Sequence, residues 1–191
     1  MKTTFSRTLF ALAVFLLTAL LLVGLSFQVL VRGYMEKQAM TRLQKDCATL
    51  AGIAAAYYSQ ETLTDRTFLL NLSLVSSLSD SDAVICDPNG QVLLCSDQLL
   101  GCEHQGMAIG RDYVNRVIRN GHARDTGYIQ GLYDEARYIY SVPVYAQQGK
   151  LLGVVIISRT TGDAQALLDQ MTDVYLPLAA LVIVVSMFVI A

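Results

Sequence analysis

Two long uncharged runs bracket the chain, and between them the spacing of hydrophobic positions changes twice. Residues 9–31 (L-F-A-L-A-V-F-L-L-T-A-L-L-L-V-G-L-S-F-Q-V-L-V) and residues 174–191 (V-Y-L-P-L-A-A-L-V-I-V-V-S-M-F-V-I-A) carry no charged side chain. At about 1.5 Å of rise per residue, each covers most or all of a hydrocarbon layer roughly 30 Å thick, so both read as membrane-spanning helices. The first is not a cleavable leader: its apolar core is long, and Arg32-Gly33-Tyr34-Met35 stands where a small-x-small site would be. The second stops with no polar residue beyond it, as the front part of a longer protein would.

After the first run, residues 33–60 contain no proline and continue as a helix. Its apolar seam, Met40, Leu43, Cys47, Leu50, Ala54 and Tyr57, is spaced 3-4-3-4-3. This suits either a helix lying on its own domain or one packing on its twin in a dimer. A second helix starts at Thr64, whose hydroxyl caps it with Asp65 in the first turn, and buries Phe68, Leu72, Val75 and Leu78. The period then shortens. Residues 83–86 and 92–95 are short apolar runs joined by Asp87-Pro88-Asn89-Gly90, which predicts a β-hairpin. Residues 112–120 predict a short helix with Val114, Val117 and Ile118 on one face, an Asp112–Arg116 pair, and Gly121 as its stop. Strands follow at 137–145 and 151–158, with a further edge strand at 128–131, and a helix over 163–173 leads into the second span.

Composition adds limits. The chain has 191 residues, is 53% hydrophobic and has a net charge of −2. All its acidic residues lie between Arg32 and Asp173, leaving Lys2 and Arg7 unopposed before the first span. That asymmetry puts the N-terminus, residues 1–8, in the cytoplasm and the middle outside. No basic field suggests nucleic acid. The segment 32–173 is long enough for one domain with a single core.

The hairpin D-P-N-G-Q-V-L-L-C-S (87–96), the strand Y-S-V-P-V-Y (140–145) and the strand G-K-L-L-G-V-V-I-I-S (149–158) together resemble the extracytoplasmic PAS-like or Cache domain of bacterial membrane receptors. The segments G-C-E-H-Q-G (101–106) and G-Y-I-Q-G-L-Y-D-E-A-R-Y (127–138) are similar to sensor regions of histidine kinases from clostridia-like bacteria. The resemblance implies an α+β fold: an antiparallel sheet of about five strands, a long N-terminal helix behind it, and a ligand pocket on the other face. It also implies a homodimer in the bacterial cell membrane and a cytoplasmic transmitter, beyond this sequence, that acts on a response regulator.

Candidate chemistry is sparse. Cys95 and Cys102 bracket a polar loop outside the cell, where a disulfide between them can form. Thiolate and imidazole ligands from Cys95, Cys102 and His104 are the alternative, although three ligands at this spacing make no known closed metal site, and no metal is expected. Cys86 reads as a buried free thiol, and Cys47, on the seam, as buried or facing its twin in a dimer. His104, Arg111, Tyr128, Arg137, Tyr138 and Tyr140 are candidates for a ligand pocket: guanidinium pairs with carboxylates, aromatic rings give walls, and imidazole changes charge near neutrality. Alternation puts Tyr138 and Tyr140 on one face of their strand, either core or pocket. No nucleophile elbow, H-E-x-x-H or phosphate loop is present, so the segment is read as binding and transmitting rather than catalysing, with no cofactor. The leading function is the signal-sensing part of a two-component histidine kinase, with an unknown small-molecule or envelope signal. The sensor half of a chemoreceptor or cyclase receptor, and a free-standing envelope interaction protein, are the alternatives.

Overall fold

The structure is a computed structural model, and it describes residues 2–59, 66–99, 104, 106–129, 132–146 and 148–190. Its elements are α1 (Lys2–Ser59), α2 (Arg66–Ser79), β1 (Asp82–Cys86), β2 (Val92–Cys95), α3 (Arg111–Asn120), β3 (Ala123–Gly127), β4 (Arg137–Tyr145), β5 (Leu151–Thr160) and α4 (Gly162–Ile190), with a 3₁₀ turn at Ser96–Leu99 after β2. The chain divides into two compact units, one made of Met1–Met35 with Gly162–Ala191 and the other of Glu36–Thr161.

The second unit holds a fully antiparallel five-stranded sheet in the order β2-β1-β5-β4-β3. β5 sits in the middle and is buried from Gly153 to Ser158, which explains why its sequence is a continuous apolar run rather than an alternating one. β3, A-R-D-T-G, is an edge, and its charged residues discourage further pairing. The expected edge strand at 128–131 therefore lies just after the observed one: Tyr128 is 68% exposed, and 130–131 fall outside the described residues.

Side-chain alternation divides the core. Ala83, Ile85, Tyr138, Tyr140, Val155 and Ile157 point to one face, where the α1 seam and α2 cover them. The seam residues Met40, Leu43, Cys47, Leu50 and Ala54 are all buried there, so the stripe serves its own sheet and is not open to a twin. Cys47 is buried with its thiol directed at the Tyr140 and Val155 carbonyls, each 3.6 Å away, which rules out a bridge to a second copy in this fold.

The second helix differs from expectation on one side. Phe68, Leu72 and Ser76 form the buried ridge, and Val75 is half-buried. Leu78, two residues beyond Ser76 and so on the opposite side, is 80% exposed. The proposed cap residues Thr64 and Asp65 lie outside the described residues.

On the other face Val84, Cys86, Ile139, Val154 and Ile156 meet α3 through Val114 and Val117, and Ile129 and Leu132 complete this layer. The hairpin turn is built by Asp87, whose carboxylate accepts the N–H groups of Asn89 (2.9 Å) and Gln91 (2.8 Å). Gly90 adopts φ 91°, and a β-carbon there would meet the Ile109 carbonyl, whose own N–H binds the Gly90 carbonyl at 2.8 Å. α3 stops at Gly121 as expected. Arg116, however, pairs with Asp125 on β3 and not with Asp112, because β3 offers both carboxylate oxygens to the guanidinium fork at 3.1 and 2.6 Å.

In the first unit, the apolar run of α1 is long and apolar enough to cross a membrane. Leu22, Leu25 and Val29 on α1 are exposed, as lipid-facing residues would be, and Leu176 and Leu181 on α4 are exposed too. Two polar contacts join its helices: Gln28 donates to the Thr172 hydroxyl at 3.0 Å, and the Tyr175 hydroxyl donates to the Leu20 carbonyl. Gly24 makes room for the Tyr175 ring, since a β-carbon there would overlap it.

Candidate functional site

The register of three strands assembles a polar cluster at one end of the sheet. Asp82 lies directly opposite Ser158 on β5, and Ser158 lies opposite Ile139 on β4, two residues from Arg137. Positions 82, 158 and 137 share the parity of the face that α3 covers, so their side chains converge. Arg137 is only 7% exposed. Its Nε donates to the Ser158 hydroxyl at 3.1 Å, and its two terminal nitrogens pair with Asp82 and Glu135. The guanidinium also lies over the Tyr133 ring, 4.2 Å from its centre. A buried cation of this kind requires partners, and here two carboxylates, a hydroxyl and a ring supply them.

The electrostatics follow from burial. Desolvation holds the Asp82 carboxyl above the usual carboxylate range, with the Arg137 charge pulling the other way. Burial likewise pushes the Tyr133 phenol up to about 12. Beyond the cluster opens a cleft of about 560 Å³, with Asp80, Asp82, Asp97 and Glu135 as its acids and Arg137 among its walls. Ser73, Ser76, Ser77, Ser81, Ser96 and Thr160 complete its described lining. The space is thus at the end of the sheet and not in the middle of the face opposite α1, which Val114, Val117, Ile129 and Leu132 fill.

Of the sequence candidates, the structure brings His104 and Arg137 to one place: the His104 ring lies 5.1 Å from that of Tyr133, on which Arg137 also rests. Arg111 is exposed at the start of α3, and Tyr128 is exposed after β3, so neither joins the cluster. Tyr138 and Tyr140 are buried on the opposite face under α1, and Tyr140 stacks with His122 at 6.0 Å. Cys95 is disulfide-bonded, while Cys102 lies outside the described residues. Cys47 and Cys86 are free and buried. Sequence reasoning missed Asp82, Glu135, Ser158 and Asp97. The signal for Ser158 was present, as a lone hydroxyl in phase with Val154 and Ile156 at the end of an apolar strand.

No protein-family profile and no curated protein matches the sequence. Solved structures do match in fold. The sensor domain of E. coli DcuS aligns with 72% of this chain and 97% of its own, at 13% identity and a TM-score of 0.51. The sensor domain of the V. cholerae histidine kinase DctB aligns with 79% of this chain and 58% of its own, at 15% identity and a TM-score of 0.54. The sensory domain of the Campylobacter jejuni chemoreceptor Tlp3 with isoleucine bound aligns with 85% of this chain and 65% of its own, at 18% identity and a TM-score of 0.50. The chain therefore spans less than two thirds of the DctB and Tlp3 domains. At these identities the likeness is one of fold, and the fold is the one these sensor domains share.

Proposed function

We propose that this chain is the signal-receiving part of a bacterial membrane receptor, most simply a two-component sensor histidine kinase. Residues 32–173 face outside, residues 9–31 and 174–191 span the bilayer, and two copies work together, with a transmitter beyond Ala191 that acts on a response regulator. The observation that carries this reading is the sensor-type sheet with a polar cleft at the end of β5, the strand that runs directly into α4. The likeness to the DctB sensor domain supports a kinase, and the likeness to Tlp3 supports the same outside half on a chemoreceptor. His104, Tyr133 and Arg137 would respond to the signal, and a Cys95–Cys102 bridge would hold the loop after β2.

The test is a chimera in which residues 1–191 are fused to the transmitter of a characterised histidine kinase and reconstituted in liposomes. Asp82→Asn releases one partner of Arg137 and should change the rate of autophosphorylation relative to the parent chimera. Adding Leu167→Pro, which breaks the helix leading to the second span, should abolish that difference. If the double variant still differs from the Leu167→Pro chimera as Asp82→Asn differs from the parent, α4 is not the transmitter.

A further inference from the structure

We propose that the outer side of α2 is a pairing surface for a second copy of this chain, with the two α2 helices antiparallel and Leu74 on the two-fold axis. This rests on the reading above that two copies work together, and it names the face through which they meet.

α2 is apolar on two sides, and the chain itself uses one of them. Phe68, Leu72 and Ser76 form the side that is buried. On the opposite side Leu70 (50% exposed), Leu74 (56%) and Leu78 (80%) recur every four residues and so form one stripe along the helix. Thr67 and Ser77, both exposed, flank it. Single exposed leucines are ordinary on a protein surface, but three in register on a helix whose other side is already buried mark a contact. The α1 seam does not provide that contact, because Met40, Leu43, Leu50 and Ala54 are closed under the chain's own sheet.

Charge selects the occupant and its direction. Between Arg66, its first residue, and Asp80, which directly follows it, α2 carries no charged side chain. A cation at the N-terminal end and an anion at the C-terminal end oppose the helix's own dipole, so the dipole does not account for this order. A second copy laid antiparallel does account for it. Arg66 then comes to the C-terminal end of the other helix, where Asp80 pairs with Arg159 of its own chain at 2.8 Å but keeps its side chain 76% exposed. The two-fold makes this contact twice. A parallel pair would instead set Arg66 beside Arg66 and Asp80 beside Asp80, like charge against like. The antiparallel match also fits the stripe, since Leu70 meets Leu78 of the second copy and Leu74 meets its own equivalent. Such a stripe is small against the roughly 20–30 residues a side of a standard interface, so pairing relies on holding both copies in one bilayer. Ser73 and Ser77 of α2 line the cleft, so the helix that pairs the copies is also a wall of the cleft.

The experiment uses the full chain in liposomes, with one cysteine introduced at a time and copper phenanthroline as oxidant. Cys47 and Cys86 are buried and Cys95 is disulfide-bonded, which keeps these thiols silent. Arg119→Cys, exposed on α3, measures random collision. Leu74→Cys should form a disulfide-linked dimer about tenfold faster than Arg119→Cys. Leu70→Cys and Leu78→Cys, each about 12 Å from its equivalent in an antiparallel pair, should link only when the two variants are mixed. Arg66→Glu sets an acid against Asp80 of the second copy and should slow linking at Leu74→Cys about threefold. Linking of Leu74→Cys no faster than that of Arg119→Cys overturns the proposal. Linking of Leu70→Cys alone as fast as in the mixture also overturns it and describes a parallel pair. Quenching of a fluorophore on Leu74→Cys by brominated lipid overturns it with the bilayer as occupant. Those outcomes leave the chimera result standing, whereas linking together with a chimera that fails its Leu167→Pro test keeps the pair and removes α4 as transmitter.

Discussion

At the scale of single residues, Arg137 is the side chain on which most other groups depend. Arg137→Ala leaves half-buried Asp82 without its cation and the Ser158 hydroxyl without its donor, while exposed Glu135 is met by water, so thermal unfolding of the chain in micelles should show a loss of about 2 kcal/mol. A loss below about 1 kcal/mol would mean that water already compensates these carboxylates. Cys47 and Cys86 are buried thiols, both pushed up to about 12 by desolvation. A thiol-reactive dye should therefore label neither in the native chain at neutral pH and two per chain after unfolding without reductant. Four labels would mean that the Cys95 bridge is not formed. Arg137 was legible as a candidate because a guanidinium pairs with carboxylates, although the carboxylates it meets are the protein's own. Its partners were not, because Asp82, Glu135 and Ser158 come from three separate stretches that only strand register brings together. Tyr138 and Tyr140 show the converse: alternation put them on one face, but which face α1 covers is a tertiary fact.

At the scale of elements, local patterns decided the interior and failed at the margins. The hairpin, α3 and β4 stand where turn residues and apolar spacing put them, since Asp87, Gly90 and Gly121 act within a few residues of their own position. α2 went astray at Leu78 because a fourteen-residue helix with exposed Leu70 and Leu74 has apolar side chains all round, and periodicity cannot choose between its faces. β3 was missed because a polar edge strand carries little alternation. The central strand makes its own demand: a β-carbon at Gly153 would overlap the Cys86 carbonyl, a backbone atom of the neighbouring strand that cannot turn aside. Gly153→Ala should thus cost about 2 kcal/mol or more in thermal unfolding, and a neutral result would show that β1 can shift away from β5. In the first unit, Tyr175→Phe removes the hydroxyl bound to the Leu20 carbonyl. Interhelical hydrogen bonds in a bilayer contribute about 0.6 kcal/mol on average, so with residues 174–191 in the membrane as proposed above this change should be small, whereas Gly24→Leu forces the Tyr175 ring out and should weaken helix pairing far more. Crosslinking between cysteines introduced on α1 and α4 would rank the two.

At the scale of the whole molecule, several buried acids of high pKa act together. Cys47, Cys86, Tyr58 and Tyr133 are all pushed up to about 12, from ordinary values of 9.0 for the thiols and 10.0 for the phenols. Each folded-state value is raised, so its contribution to stability is fully present below the ordinary value and is lost as pH rises through the folded one. The melting temperature should hold near neutrality and fall progressively above about pH 9, and a flat profile to pH 11 would mean that these groups are hydrated in the fold. One fastening has a consequence for time rather than for energy. Thr161, the last residue of the sheet-bearing unit, sends both its N–H (3.2 Å) and its hydroxyl (3.0 Å) to the carbonyl of Ala136, the residue between Glu135 and Arg137. The Thr161 amide can therefore exchange its hydrogen for deuterium only when this stretch lets go, so its exchange rate serves as a clock for how often the end of β5 parts from the stretch beside Arg137.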